Sequence, residues 1–506
     1  MKLLKVYISA FCMCSLSVLL NSCDDFLKEE PLDMKSSDQF WKTKADAESG
    51  VNALYFGGVP YLHNTDVGGG WTPKATMWGG IVSGLYVDKR KDRTFTTASE
   101  GCNFNIESFD DIAMKYWHEF YKGISRANFV IANIPTMTGV LDEATINNYV
   151  AQGKFFRAYG YFWLVKEFGG VPYISEPYTS TEGMYKERLS AEEVYKKIEA
   201  DLLDIVNGDA LPNKTFYENG CYVTRAMAQT LLAQVYLQWA GAPLNGGADY
   251  YGKAAQMALK VINDSPHELI HPNGTTDDLN SAYNVIKTTK ESAEIIYAKE
   301  YNYTNYSVGN SYACRSIGTD AFQWGVFHPG GDVLYNAYLP CDMLLNSYAS
   351  NDIRGHEKQF FFKQYTDAEG KTYTLNNAGN WAWFDENALI SGHDGDYNMP
   401  VFRFAEVLLI AAEGLARTNH EDNAVGGAKY YLNQVRKRAG LADETATGND
   451  LIQSILTERL HELPLEFKIW DDIRRTRLYP EASTESGKLK WTALAVSYTH
   501  LRAHET

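Results

Sequence analysis

Two stretches of this chain gather tryptophan and tyrosine among glycine and asparagine, and those residue types could grip a sugar. Trp71, Trp78 and Tyr86 fall in the first stretch; Tyr301, Tyr303, Tyr306, Phe322, Trp324, Trp381 and Trp383 fall in the second. A pyranose ring presents C–H bonds on each face and hydroxyls around its rim. Flat indole and phenol rings can bury the faces while a few polar groups take the hydroxyls. Asn310, Arg315 and Asp320 supply such groups nearby. Loops seldom bury so much ring area without a purpose, although pinning the loop to its scaffold is the competing role for any single ring. The candidate ligand-binding set is Trp71, Trp78, Tyr303, Tyr306, Asn310, Arg315, Trp324 and Trp381.

Other motifs carry less. Residues 247–253 spell G-x-x-x-x-G-K, but Ala254 stands where a magnesium-holding Ser or Thr is required, and the segment joins two helices. His461-Glu462 begins like a zinc-protease helix, yet Leu465 stands where the second His belongs. His393-Asp394-Gly395-Asp396 lacks the ligand spacing of a calcium loop and reads as a polar turn. Glu458-Arg459 with Glu462, and Asp471-Asp472 with Arg474-Arg475, read as an ion-pair network at a helix seam. No nucleophile elbow occurs, and no metal or cofactor is expected. Sequence alone fixes no carboxylate separation, so a paired-carboxylate glycosidase stays open.

Cys23 offers a different chemistry. Lys2 and Lys5 precede an apolar stretch, residues 6–20, that is too short for a confident membrane span. Leu20-Asn21-Ser22-Cys23 then places a small residue before a cysteine, as a bacterial lipoprotein signal peptidase requires. Cleavage there makes Cys23 a lipidated N-terminus, and two or three acyl chains at ~0.8 kcal/mol per methylene anchor it stably. An ordinary signal peptide with an incidental cysteine is the alternative. Cys102, Cys221, Cys314 and Cys341 remain, too few and scattered for a disulfide scaffold.

The elements that must position these residues are mostly helical. Helical periodicity runs over 37–54 with Ser37 as cap, over 116–134, over 150–168, and over 190–206 with a Ser190/Glu193 capping box. Pairs at 224–239 with 250–263, and at 404–417 with 424–438, approximate tetratricopeptide hairpins, and 450–462 follows. Residues 57–110 and 297–398 are loop-rich excursions from that scaffold. Among 506 residues, 34 Tyr, 23 Phe and 11 Trp make an unusual 13% aromatic content. The net charge of −16 repels phosphate backbones, so nucleic acid is not an expected partner.

Taken in order, several of these motifs resemble the SusD/RagB family of outer-membrane nutrient-binding lipoproteins. They are Cys23-Asp24-Asp25-Phe26-Leu27 with Phe40-Trp41, and Gly153-Lys154-Phe155-Phe156-Arg157-Ala158-Tyr159 running to Phe168-Gly169-Gly170-Val171-Pro172-Tyr173. Arg403-Phe404-Ala405-Glu406-Val407, Asn433-Gln434-Val435-Arg436-Lys437-Arg438-Ala439-Gly440, Glu458-Arg459 and Asp472-Ile473-Arg474-Arg475 complete the match. The resemblance implies a mostly α, tetratricopeptide-like scaffold with a loop-rich binding face. It also implies a surface-exposed outer-membrane lipoprotein that binds oligosaccharide, delivers it to a SusC-like TonB-dependent transporter and cleaves nothing. A secreted α-helical glycoside hydrolase and a purely structural transporter lid are the alternatives. The expected organisation is a signal peptide at 1–22, an N-terminal region at 23–285 and a C-terminal region at 286–487 on the same scaffold. Residues 488–506 depart from the family pattern and are expected to be a non-native tail that packs on nothing.

Overall fold

The computed structural model describes residues 40–56, 80–87, 111–178, 183–271, 278–328 and 338–494. Fourteen α-helical segments occur among them. Six make the first half: α1 Lys44–Asn52, α2 Asp111–Asn133, α3 Glu143–Phe168, α4 Ala191–Val206, α5 Arg225–Ala240 and α6 Gly247–Asp264. Four short ones follow: α7 Ala282–Thr288, α8 Tyr303–Tyr306, α9 Asp342–Asn346 and α10 Glu386–Ser391. The last four are α11 Phe404–Ala416, α12 Ala428–Arg438, α13 Gly448–Glu462 and α14 Ile469–Thr476.

Local chemistry sets the helix ends. Ser190 and Glu193 bond each other's backbone reciprocally to open α4, as the sequence predicts. Thr224 caps α5, and Gly169 closes α3 at φ 66°, where a side chain would be strained. The first helix differs from expectation: it starts at Lys44, where Thr43 and Asp46 form the capping box, and Ser37 lies outside the described residues. The G-x-x-x-x-G-K motif also lies elsewhere than expected. It forms the opening turns of α6, not a loop between helices.

Successive helices pack side by side, α2 on α3, α3 on α4, α4 on α5 and α5 on α6. The next layer is α11, which packs on α6 although about 140 residues of chain intervene, and α12 and α13 then pack on α11. This chain of hairpin neighbours is the mostly α, tetratricopeptide-like scaffold the sequence implies. Its core is aliphatic and aromatic: Phe155, Tyr161, Leu164, Leu231, Val235, Ala258, Leu408, Ile410, Leu432 and Ile455 are all fully buried. α11 is buried on every side, which is why its sequence is apolar all round apart from Glu406 and Glu413.

Strands are few and come as antiparallel pairs. β1 Tyr86–Val87 pairs with β3 Leu339–Pro340, and β2 Ile295–Lys299 pairs with β6 Met399–Arg403. β4 Phe361–Thr366 pairs with β5 Thr372–Asn380, and β7 Leu478–Ala482 with β8 Leu489–Ala493. The β2–β6 pair clamps both ends of the second excursion to the scaffold. A second, smaller core of Ile317, Phe327, Phe362, Tyr365, Leu375, Phe384 and Leu389 holds the excursion together. No helix of the described residues is long and apolar enough to cross a membrane.

The β7–β8 hairpin corrects the expectation that residues from 488 onward pack on nothing. Leu489 and Trp491 are buried, and the Trp491 Nε1–H donates to Thr457 Oγ1 at 3.0 Å on α13. The alternation Leu489, Trp491 about the exposed Lys490 is the period-two signature of a strand with one buried face. Residues 495–506 lie outside the described residues.

Candidate functional site

The exposed aromatic surface centres on α8, a single helical turn held by hydrogen bonds at both ends. Asn302 caps it, its Oδ1 accepting from the Asn305 N–H at 3.0 Å. Asp396 reaches across from the far end of the excursion to accept from the Tyr303 N–H at 2.5 Å and the Thr304 hydroxyl at 2.5 Å. Burial opposes ionisation of Asp396, but the bonds from Thr304 and Tyr303 outweigh it and hold the carboxyl below its usual range. Ser307 ends the turn in the left-handed region at φ 54°.

That framework fixes two rings differently. Tyr303 stacks on the His393 imidazole, centroids 4.4 Å apart and planes 17° from parallel. Tyr306 projects into solvent with 75% of its surface exposed, and Val308 beside it is 48% exposed. Asn310, also in the candidate set, lies beneath this surface. Its Oδ1 accepts from the Tyr312 N–H at 2.9 Å, its Nδ2 donates to the Tyr397 carbonyl at 2.8 Å, and its backbone bridges Gly395. Asn310 therefore anchors the two ends of the excursion to each other.

Trp324 is half-buried at the edge of the second core, stacked on Tyr373 at 4.9 Å and 19° and near-parallel to Tyr365 at 6.2 Å. Trp381 is pinned more firmly. Its Nε1–H donates to Asn284 Oδ1 at 2.7 Å, and Phe384 stacks on it at 5.0 Å and 16°. Of the wider ring set, Tyr86, Tyr301 and Trp383 are core residues and Phe322 is half-buried against the second core. Asp320 accepts from the Asn376 N–H at 2.8 Å. Arg315 ends the 3₁₀ turn Ser311–Arg315, and its side chain is outside the description. Trp71, Trp78 and Cys23 lie outside the described residues. The structure thus brings Tyr303, Tyr306 and Asn310 together and places Trp324 and Trp381 on the second core. His393 and Asp396, which build the Tyr303 stack and its support, read from sequence only as a polar turn.

The charged motifs near the C-terminus form the expected seam. Glu462 lies between Arg354, Arg403 and Arg438, whose guanidinium groups all bond it. Arg459 donates to Asp472 at 2.9 Å, and Arg475 makes a two-armed pair with Glu413 at 2.7 and 2.6 Å. Burial opposes ionisation of Glu413, but Arg475 overrides it and brings the carboxyl down to about 2. Asp471 is likewise held to about 2 against burial by Lys166 and Arg474. Seam residues line a cavity of about 50 Å³ that includes Lys166, Glu406, Arg459, Glu466, Lys468 and Asp471. These acids are committed to cations, so the cavity wall is an ion-pair network and not an acid–base pair poised over a groove.

Comparison with known proteins gives a consistent likeness. Residues 356–493 match the family described as the SusD family, and residues 81–237 match the family described as starch-binding associating with outer membrane. SusD-like protein P2 of Formosa agariphila is 27% identical over 490 residues, covering 93% of this chain and 91% of the relative. A SusD superfamily protein of Parabacteroides distasonis superposes with a TM-score of 0.75 at 23% identity, over 91% of this chain and 98% of the other. Surface glycan-binding protein A of Bacteroides thetaiotaomicron, solved in complex with laminarihexaose, superposes with a TM-score of 0.64 at 22% identity, over 86% and 90%. A further similar structure, solved with xylogluco-oligosaccharide, has a TM-score of 0.65 at 20% identity, over 89% and 90%.

Proposed function

The chain belongs to the SusD/RagB family, and from that premise we propose that it captures oligosaccharide at the cell surface and delivers it to a SusC-like TonB-dependent transporter. The observation that carries the reading is Tyr306, a phenol ring 75% exposed on a turn that Asp396 and Asn302 hold rigid. An exposed ring on a fixed backbone loses little entropy when a sugar stacks on it, whereas a mobile one must be ordered first. Tyr303 with His393 extends the flat surface. The oligosaccharides bound by the two similar structures support a glycan ligand here.

Anchorage follows from Cys23. Lipidated after signal-peptide removal, it ties the protein to the outer membrane, and the acidic Asp24-Asp25 that follow suit display at the cell surface. Movement of the protein over the transporter then admits the captured ligand. The protein performs no bond cleavage in this scheme: it binds and hands on.

Incubation with laminarihexaose, xylogluco-oligosaccharide and a wider polysaccharide panel tests the reading. Binding without new reducing ends is expected, weakened in Tyr306→Ala. Release of reducing sugar would point to a hydrolase, and no binding to any polysaccharide would leave only a structural lid. Co-purification of a barrel transporter with the lipidated protein, lost in Cys23→Ala material that fails to reach the membrane, tests the delivery half.

A further inference from the structure

Lys287, on α7, is a half-buried cation with rings for neighbours. Its Nζ lies 4.1 Å from the Trp381 ring centroid, 5.1 Å from that of Tyr397 and 5.8 Å from that of Phe384. No carboxylate among the described residues is in ion-pair contact with it, the nearby acids Asp385 and Glu386 acting only at longer range. A second ammonium, Lys358 Nζ, lies 5.5 Å from the same Trp381 centroid. The two cations are therefore within about 10 Å of each other, roughly a Debye length at physiological ionic strength, and repel. Among the described residues the buried guanidinium groups of Arg354, Arg403, Arg438 and Arg475 are each paired with carboxylates. Lys287 and Lys358 approach one indole with no acid in ion-pair contact among the described residues.

Lys287 also forms part of the wall of a cavity of about 60 Å³, together with Asn310, Trp383, Asn398, Arg403 and Glu466. A single water needs about 10–15 Å³ on this scale, so the space takes a carboxylate or a few waters but not a pyranose ring. Arg403 is already spent on Glu294, Glu462 and Glu466, so Lys287 is the wall's uncommitted cation; Glu466 binds Arg403 through Oε1 and leaves Oε2 without a hydrogen-bond partner among the described residues. We propose that Lys287, which lines this cavity and lies against the Trp381 ring, is the seat for the carboxylate of an acidic saccharide, with the sugar ring outside the cavity and the carboxylate turned inward, while Lys358 on the same indole adds positive charge from beyond the cavity wall. The carboxylate supplies the missing counter-charge, and the rings around Lys287 exclude water and strengthen the attraction.

The protonation of Lys287 gives the seat a signature. Burial disfavours its charge, opposed by Asp385 and Glu386, and brings the ammonium down to about 7. The other titratable groups that face it are Lys358 and Tyr397 around the ring, and Tyr283, Arg403 and Glu466 across the cavity. An anion binds the protonated form, so affinity is full below pH 7 and falls as pH rises above it, by about tenfold per unit.

Intrinsic tryptophan fluorescence titrations with glucuronate, acetate and glucose, at pH 6 and pH 8.5, test the seat on the wild-type protein. Glucuronate is expected to bind at least tenfold more tightly than glucose at pH 6, with acetate also competing, and to lose that advantage at pH 8.5. Lys287→Met is expected to abolish the preference while its thermal midpoint holds, since methionine fills the same space without a charge to desolvate. Lys287→Arg, charged at every pH, is expected to keep the preference and flatten its pH dependence. Equal binding of glucuronate and glucose, or a preference unchanged in Lys287→Met, overturns the proposal. Competition by acetate without binding of glucuronate overturns the saccharide assignment. This inference takes from the glycan-binding reading only the class of molecule that bears the carboxylate. Neutral laminarihexaose binding, weakened in Tyr306→Ala and unchanged in Lys287→Met, reports that reading separately.

Discussion

Tyr301 and Tyr306 stand five residues apart on the same irregular segment, yet one is 2% exposed and the other 75%. Composition treats them alike; only the fold of the turn between them decides which ring meets solvent. Tyr306→Ala is therefore expected to leave the denaturation midpoint within about 0.5 kcal/mol of wild type while cutting oligosaccharide affinity about tenfold or more, read by calorimetry. Tyr301→Ala should do the reverse, costing about 3–5 kcal/mol of stability through the cavity it leaves. His461 carries a residue-scale prediction of a different kind. It is buried against Tyr348, with Nε2 2.8 Å from Ser347 Oγ, and burial followed by the charge of Arg354 brings its imidazole down to about 3. Because the folded pKa lies below the unfolded value of about 6.5, the unfolded chain binds the extra proton between those limits. Stability from this group is full above pH 6.5 and declines by about 1.4 kcal/mol per unit on acidification towards pH 3. Urea midpoints measured across that range should fall less steeply in His461→Asn than in wild type.

At the scale of elements, the seam shows how a helical scaffold can be built around buried charge. Glu462 on α13 accepts from Arg354 before β4, Arg403 at the end of β6 and Arg438 at the end of α12, and so ties four parts of the chain to one carboxylate. Such a group adds little net stability compared with a well-packed apolar residue, but removing one partner strands the others. Glu462→Ala removes one carboxylate from three fully buried guanidinium groups, leaving Arg354 to Asp352 and Glu458, Arg403 to Glu294 and Glu466, and Arg438 to Glu294, with the N–H groups that faced Glu462 unbonded. A loss of about 3–5 kcal/mol in chemical denaturation is expected. Close helix contact makes a second demand. A Cβ built on Gly414 of α11 would come within 2.5 Å of the Tyr251 carbonyl oxygen of α6, so the two backbones can approach only because the side chain is absent. Gly414→Ala gains helix propensity and still should lose about 1–3 kcal/mol, because α6 must move away.

Across the whole molecule, the parts legible in the sequence are those whose signal is local. Ser190 with Glu193, Thr224, and Gly169 before Gly170-Val171-Pro172 each announce a helix end within a few residues, and the structure places those ends there. The second excursion was legible as a loop-rich region rich in rings, but not ring by ring, because Tyr303 gains His393 and Asp396 from residues about ninety positions away. Lys287 is hidden in the sequence for the same reason: the rings around it, Trp381, Phe384 and Tyr397, stand about a hundred positions away along the chain. The last hairpin departs from the expectation of an unpacked tail: the family match runs on to residue 493, and the alternation of Leu489, Lys490 and Trp491 signals a strand with one buried face. Its burial makes a prediction about the integrity of the chain. β8 covers α13 through Trp491, whose backbone N–H donates to Gln453 Oε1 at 3.1 Å and whose indole N–H donates to Thr457. α13 in turn carries Glu462, so the hairpin screens the helix that holds the seam. Truncation after Gly487 should expose the Thr457 face of α13, and Trp491→Ala should reproduce most of that effect at about 3–5 kcal/mol. Matching losses in the two variants by thermal denaturation are expected; a truncated chain as stable as the full one would mean that the hairpin rests on α13 without supporting it.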